Sequence, residues 1–212
     1  MLKRDSVQLF LSVVSAAIVI LVMALLAAYA PLWIEQYLNP PTGPTGFATK
    51  PPKAMGDFTL TDQNGKPMNF SDLRGSPVLM FFGYTYCPDV CPLTMSDYRR
   101  VKTALGDKAA NVKFMMVSFD GNRDSPEVMK RYVEAFDSTF IGLTGKPELV
   151  AKISADYGAF ADIRRVEGTQ AEYQVGHSAF SYLIDQKGNW LMTYPVGTPP
   201  ENITKDIARL LQ

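Results

Sequence analysis

Apolar and polar positions divide the chain sharply. From Ser6 to Ile34 no charged side chain occurs in 29 positions, and about 20 helical residues suffice to cross a bilayer's hydrocarbon core. Residues 39–52 break that pattern. Pro40, Pro41, Pro44, Pro51 and Pro52, with Gly43 and Gly46, remove helical donors and predict a stiff, partly extended tether over 35–52. The organisation expected is a short leader at 1–5, a membrane anchor at 6–34, the tether, and a folded domain over 53–212.

Inside that domain the periodicity changes repeatedly. Asp57–Thr61 and Pro67–Phe70 alternate around Asn64-Gly65, a signature of a hairpin with a type I′ turn. The uninterrupted apolar run Val78–Phe82 predicts a central strand covered on both faces, and Val112–Phe119 predicts a second. Helices are expected over Leu93–Leu105, from Ser125-Pro126 to about Phe136, over Pro147–Tyr157, and over Pro200–Leu211. Phe140–Leu143, Tyr173–Val175, Phe180–Ile184 and Trp190–Tyr194 read as further strands, with a turn at Lys187-Gly188. Strands alternating with helices and ending in a hairpin and a helix specify an α/β sandwich with a mixed sheet.

Charge then narrows the function. The chain has 21 basic and 21 acidic residues, and the domain alone carries a formal charge of −1, so the basic excess that nucleic acid demands is missing. Lys3 and Arg4 precede the apolar segment and no Lys or Arg follows until Lys50. This asymmetry predicts a single-pass protein with a cytoplasmic amino terminus and an exported domain, with Trp33 and Tyr37 at the far interface. Ala28-Tyr29-Ala30 also fits a signal-peptidase site, but the apolar stretch is too long for a signal and Pro31 disfavours cleavage. The absence of an Arg-rich, Ser-rich presequence favours a bacterial plasma (inner) membrane.

Candidate chemistry is sparse. Two cysteines and one histidine exclude a disulfide-dense scaffold and a four-Cys zinc site. Cys87 and Cys91 stand four residues apart where a buried strand gives way to a helix, an edge on which α/β proteins expose functional groups and where a helix amino terminus favours thiolate. Positions i and i+4 on a helix hold Cβ atoms ~5–6 Å apart, whereas a disulfide needs ~3.5–4.5 Å. The spacing therefore allows a disulfide or a metal and slightly favours the metal. His177 by itself reads as a structural histidine. Beside two thiolates it completes a soft S₂N set that suits copper, with zinc as the rival. Asp120 and Asp124, in Asp120-Gly-Asn-Arg123-Asp124-Ser-Pro126, read either as an ion pair plus helix cap or as support behind the site and a surface for a partner. Tyr84 and Tyr86 flank the thiols and either shield them or meet a partner. Met80, Met115 and Met116 read as core rather than as metal ligands.

These motifs resemble the Sco/SenC family of copper chaperones in cytochrome c oxidase assembly. Gly83-Tyr-Thr-Tyr-Cys87-Pro-Asp-Val-Cys91-Pro is similar to the family's C-x-x-x-C-P loop, Arg123-Asp124-Ser-Pro126 to its R-D-[ST]-P turn, and Val175-Gly-His177-Ser to its distal histidine segment. The resemblance covers Gly56 to about Leu211 and the anchor. It implies a thioredoxin-like three-layer sandwich with an amino-terminal hairpin, and an inserted hairpin near Glu167–Val175. It further implies one copper ion, Cu(I) or Cu(II), held by Cys87, Cys91 and His177, with Asp124 as a site or partner residue. Tyr86, Gly121 and Gly176 stand where many relatives have His, Pro and Asp.

The implied function is delivery of copper to the dinuclear copper site of cytochrome c oxidase subunit II, with a copper donor protein and a thiol reductant as further partners. The alternative is a thiol–disulfide oxidoreductase that reduces the cysteines of that subunit before metallation. A redox or copper sensor has little cytosolic machinery at the short leader, and a thiol peroxidase does not suit the C-x-x-x-C spacing with a distal histidine.

Overall fold

The computed structural model describes residues 4–38, 46–165, 173–177 and 180–212. The chain divides into two compact units, Met1–Gly43 and Pro44–Gln212. The first contains one helix, α1 (Arg4–Leu38), which extends a few residues beyond the apolar segment at both ends. Leu11–Ala30 is long and apolar enough to cross a membrane.

The second unit is built on an eight-stranded sheet. Its strands are β1 (Phe47–Ala54), β2 (Thr59–Asp62), β3 (Pro67–Asn69), β4 (Val78–Gly83), β5 (Lys113–Ser118), β6 (Ile141–Thr144), β9 (Phe180–Ile184) and β10 (Asn189–Pro195), in spatial order β1-β10-β9-β4-β5-β6-β2-β3. Strands β4, β5 and β6 run parallel and every other neighbouring pair is antiparallel, so the sheet is mixed as expected. All six residues of β4 are buried, which explains the uninterrupted apolar run. The three methionines read as core lie in β4 and β5 and are almost fully buried.

The helices follow the capping chemistry. Ser125 caps α3 (Pro126–Phe136) by accepting from the Val128 N–H, with Pro126 in the first turn. Helix α4 (Pro147–Asp156) gives way to Gly158 at φ 67°, and α5 (Pro200–Leu210) packs against α2 (Val90–Leu105).

Four expectations need correction. The β2–β3 hairpin forms, but its turn is not type I′: Gly65 alone has positive φ, and no described non-glycine residue does. Gly65 N–H bonds the Asp62 carbonyl while the Asp62 carboxylate accepts from Asn64 N–H and Lys66 N–H. The side chain thus organises a longer loop, an option that the Asn-Gly pair does not advertise. Next, the stretch assigned to the tether includes β1, so the sheet begins at Phe47 rather than near Lys53. This strand lies at an edge, and its ladder to β10 is interrupted between Ala48 and Lys53, which leaves room for Pro51 and Pro52. Helix α2 begins at Val90 rather than Leu93, because Pro92 falls in its first turn, where the missing N–H is not needed.

Finally, β7 (Ala161–Arg165), which the periodicity does not announce, pairs with β8 (Tyr173–His177) in a separate two-stranded sheet. The inserted hairpin therefore has arms at 161–165 and 173–177. Of the span named for it, residues 167–172 lie outside the described residues.

Candidate metal-binding thiol site

Strand β4 ends at Gly83, and a short turn returns the Cys87 N–H to the Tyr84 carbonyl at 3.3 Å. Helix α2 then starts three residues later with Cys91 in its first turn. The first N–H groups of a helix have no partner within it. Here the Cys91 N–H donates to Cys87 Sγ at 3.5 Å, and no side-chain hydrogen bond comes from the N-cap residue Asp89. The sulfur of Cys87 thus sits on the positive end of α2, where negative charge is stabilised.

The two thiols are not joined by a disulfide, and their surroundings differ. Cys87 is half-buried, whereas Cys91 is 0% exposed and belongs to the hydrophobic core. A side chain at position 83 has no room beside it, since a Cβ there falls 2.7 Å from Cys91 Sγ. The hydrogen bond to Cys87, then burial, then the nearby Cys87 charge push the Cys91 thiol far above the usual range. A pair of thiolates at this position is therefore disfavoured unless a cation stands beside them.

Asp124 braces the loop from the other side. It is 0% exposed, accepts from the Thr85 N–H at 2.9 Å and from the Thr85 hydroxyl, and takes a further bond from Ser118 Oγ at the end of β5. Burial raises its pKa above the ordinary carboxylate range, with the Ser118 and Thr85 bonds opposing. The carboxylate joins β5 to a residue two positions before Cys87.

Asp120 acts one step further out. Arg123 Nε donates to its carboxylate at 2.6 Å, and the guanidinium lies 4.7 Å from the Tyr86 ring centroid. Tyr86 is 57% exposed, so this stack presents the ring beside the thiols. Tyr84 is buried, and its carbonyl accepts from the Cys87 N–H.

The sequence reading thus placed Cys87, Cys91, Asp124, Asp120 and Tyr86 in one neighbourhood, and all five are found there. His177 closes β8 opposite Ala161, three residues before β9 opens at Phe180. Strand β9 runs antiparallel to β4 with Ser181 opposite Phe81, so its amino end shares the sheet edge from which the Cys87 loop emerges. The His177 side chain lies outside the described residues, and among the described ones no three ligand side chains converge on a metal position. Sequence reasoning missed Thr85 and Ser118, whose hydroxyls both donate to Asp124. Ser118 had a signal, a polar residue closing an apolar strand; Thr85 had none.

The SCO1/SenC family profile matches residues 47–212, beginning at the first residue of β1. The chain belongs to the SCO1/SenC family. A SCO2-like protein of Rickettsia felis is 31% identical over 191 residues, which span 87% of this chain and 92% of its own length. Copper-bound ScoI of Bradyrhizobium japonicum is 38% identical, with a TM-score of 0.67 covering 74% of this chain and 99% of that one. Apo Sco1 of Thermus thermophilus is 34% identical, with a TM-score of 0.68 covering 78% and 95%. As in its SCO1/SenC relatives, the fold of this chain is thioredoxin-like.

Proposed function

We propose that this chain is a membrane-anchored copper chaperone that carries one Cu(I) or Cu(II) ion on Cys87, Cys91 and His177 and passes it to the dinuclear copper site of cytochrome c oxidase subunit II. The observation that carries this reading is the unbridged thiol pair at the start of α2, one sulfur half-buried and one in the core. Membership of a family that acts in copper assembly of cytochrome c oxidase supports it, as does the copper in the Bradyrhizobium japonicum relative.

The residues suit such a cargo. Thiolate and imidazole are soft ligands, and a bound cation would offset the hydrogen bond, burial and neighbouring charge that raise the Cys91 pKa. Asp124 fixes the Thr85 end of the loop, so both sulfurs are held before metal arrives. The exposed side of Cys87 gives an incoming ligand access, which handover requires. Helix α1 would keep the domain at the membrane that houses the oxidase, with the amino terminus cytoplasmic. A copper donor protein and a thiol reductant are the further partners that this cycle needs.

The test is titration of the reduced full-length chain in detergent with Cu(I) and Cu(II), beside Cys87→Ser and His177→Ala. One equivalent should bind with an intense sulfur-to-Cu(II) absorption, and each variant should weaken both band and affinity. Absence of binding by the parent chain would sink the chaperone reading.

The asymmetry of the pair also supports a second reading, a thiol–disulfide oxidoreductase in which half-buried Cys87 attacks and buried Cys91 resolves. His177→Ala separates the two: copper binding should fall while thiol exchange is largely retained.

A further inference from the structure

Helix α3 carries more apolar surface than its place in the fold uses. Met129 and Val133 are 0% exposed and face the core, the one stripe that an amphipathic helix needs. Val128, Tyr132, Ala135 and Phe136 form a second stripe at the spacing that puts residues on one helix face. Ala135 is exposed and the other three are half-buried. Together with Arg131 they line an open depression of about 490 Å³, whose remaining wall is Thr85 and Tyr86. Ligand-binding clefts occupy about 300–1,000 Å³. Thr85 and Tyr86 immediately precede Cys87, so the depression adjoins the thiol loop.

Two of its walls indicate what it takes. The Tyr86 ring is exposed yet held, stacked on the Arg123 guanidinium, which buried Asp120 fixes in turn. A ring anchored in this way has little freedom left to lose on association, and rigid aromatic side chains carry much of the energy of protein interfaces. Arg131 is exposed and forms no ion pair among the described residues. Its neighbours on the helix are engaged elsewhere: Glu127 accepts from the Ser125 hydroxyl at 2.8 Å, and Lys130 donates to Asn64 and faces Glu134. An apolar hollow between a fixed aromatic ring and an unpaired guanidinium is complementary to a large apolar side chain with a carboxylate close by.

We infer that this depression is the docking groove for the protein that accepts copper, filled by a segment of that protein presenting a large apolar side chain beside an Asp or Glu. The inference rests on the reading of Cys87 and Cys91 as the copper-carrying pair. A specific interface covers about 800 Å² on each partner, far more than the rim of one half-buried sulfur. An acceptor that reaches Cys87 must therefore rest on the surface around it, and Tyr86 with the second stripe of α3 is apolar surface that adjoins it. The groove holds the acceptor in place while ligands are exchanged and takes no part in binding the ion.

The experiment uses the full-length chain in detergent and two variants outside the thiol site. Arg131→Glu reverses the charge of one wall, and Ala135→Arg fills the floor. Both positions are exposed on a helix, and both new residues are good helix formers. The first probe is the reduced, metal-free copper domain of cytochrome c oxidase subunit II. Each variant should weaken its binding about tenfold or more, while copper affinity in chelator competition stays at the parent value. Added salt should weaken binding to the parent chain more than binding to Arg131→Glu. The second probe is the blocked peptide Gly-Phe-Asp-Gly, which at millimolar concentration should shift the Val128 and Ala135 methyl resonances. Gly-Ala-Asp-Gly and Gly-Phe-Asn-Gly should shift them less. Parent-like binding of the subunit II domain by both variants would overturn the inference, as would a matching loss of copper affinity, or a copper-loaded parent chain that does not bind the domain. If the parent chain binds no copper, the chaperone reading fails and the peptides decide the groove: shifts specific to Gly-Phe-Asp-Gly uphold it, and unmoved methyl resonances refute it.

Discussion

Asp124 shows how much one buried side chain does for the thiol loop. Its two oxygens receive three hydrogen bonds, from the Thr85 N–H, the Thr85 hydroxyl and Ser118. An amide has one accepting oxygen and one donating nitrogen, so Asp124→Asn must turn a donor toward a donor, at a cost of about 1–3 kcal/mol. The cost should depend on pH. Because burial raises the Asp124 pKa above that of an ordinary carboxyl group, the stability this group contributes is full below the ordinary carboxyl pKa and drains as pH rises through the folded one. Thermal melts of both proteins from pH 4 to 7 should therefore show the parent chain's advantage shrinking as pH rises. An advantage that grows instead would contradict the raised pKa. At this scale the sequence was readable where chemistry is concentrated, at the two cysteines and at Ser125-Pro126. It was unreadable where a role depends on a fold-made neighbour: nothing local marks Thr85 as the partner of Asp124, and the need for a residue as small as Gly83 emerges only once Cys91 packs against it.

Strands and helices were legible to the degree that one face or the whole element is buried. Strands β4 and β9 match their apolar runs because tertiary burial and local pattern agree. Strand β1 escaped notice because almost all of its side chains are exposed and its prolines look like a linker; what holds it is backbone pairing to β10. A chain beginning at Met55 should accordingly be less stable than one beginning at Pro44, by about 1–3 kcal/mol for the few ladder bonds lost. It should also self-associate more readily, since β10 becomes an open edge. Urea unfolding and sedimentation of the two chains check both points, and equal stability would mean that β1 is only draped on the sheet. The start of α2 shifted for a comparable reason. Proline usually marks a boundary, but in a first turn it is neutral, and this placed Cys91 on the helix rather than before it.

For the chain as a whole, the two units differ in what covers their apolar side chains. The side chains of Leu11–Ala30 have no cover within the protein, whereas residues 44–212 form their own core. The full chain should float with phosphatidylcholine–phosphatidylglycerol vesicles and resist extraction by alkaline carbonate, while the 44–212 fragment should stay in solution. Extraction of the full chain by carbonate would argue against a spanning anchor, and a mature amino terminus at Pro31 would favour the signal-peptide reading.

The unequal depth of the two sulfurs has a consequence in time. An incoming ligand meets Cys87 first, at the rim, and reaches Cys91 only through whatever Cys87 has vacated. If both sulfurs hold the ion, as proposed, release would have an order, outer sulfur first and inner sulfur last, with the inner one keeping its grip until a replacement bond exists. Such a pair would behave like a turnstile: the cargo would never be loose between the two proteins, and a visitor that supplies no second ligand would leave with nothing.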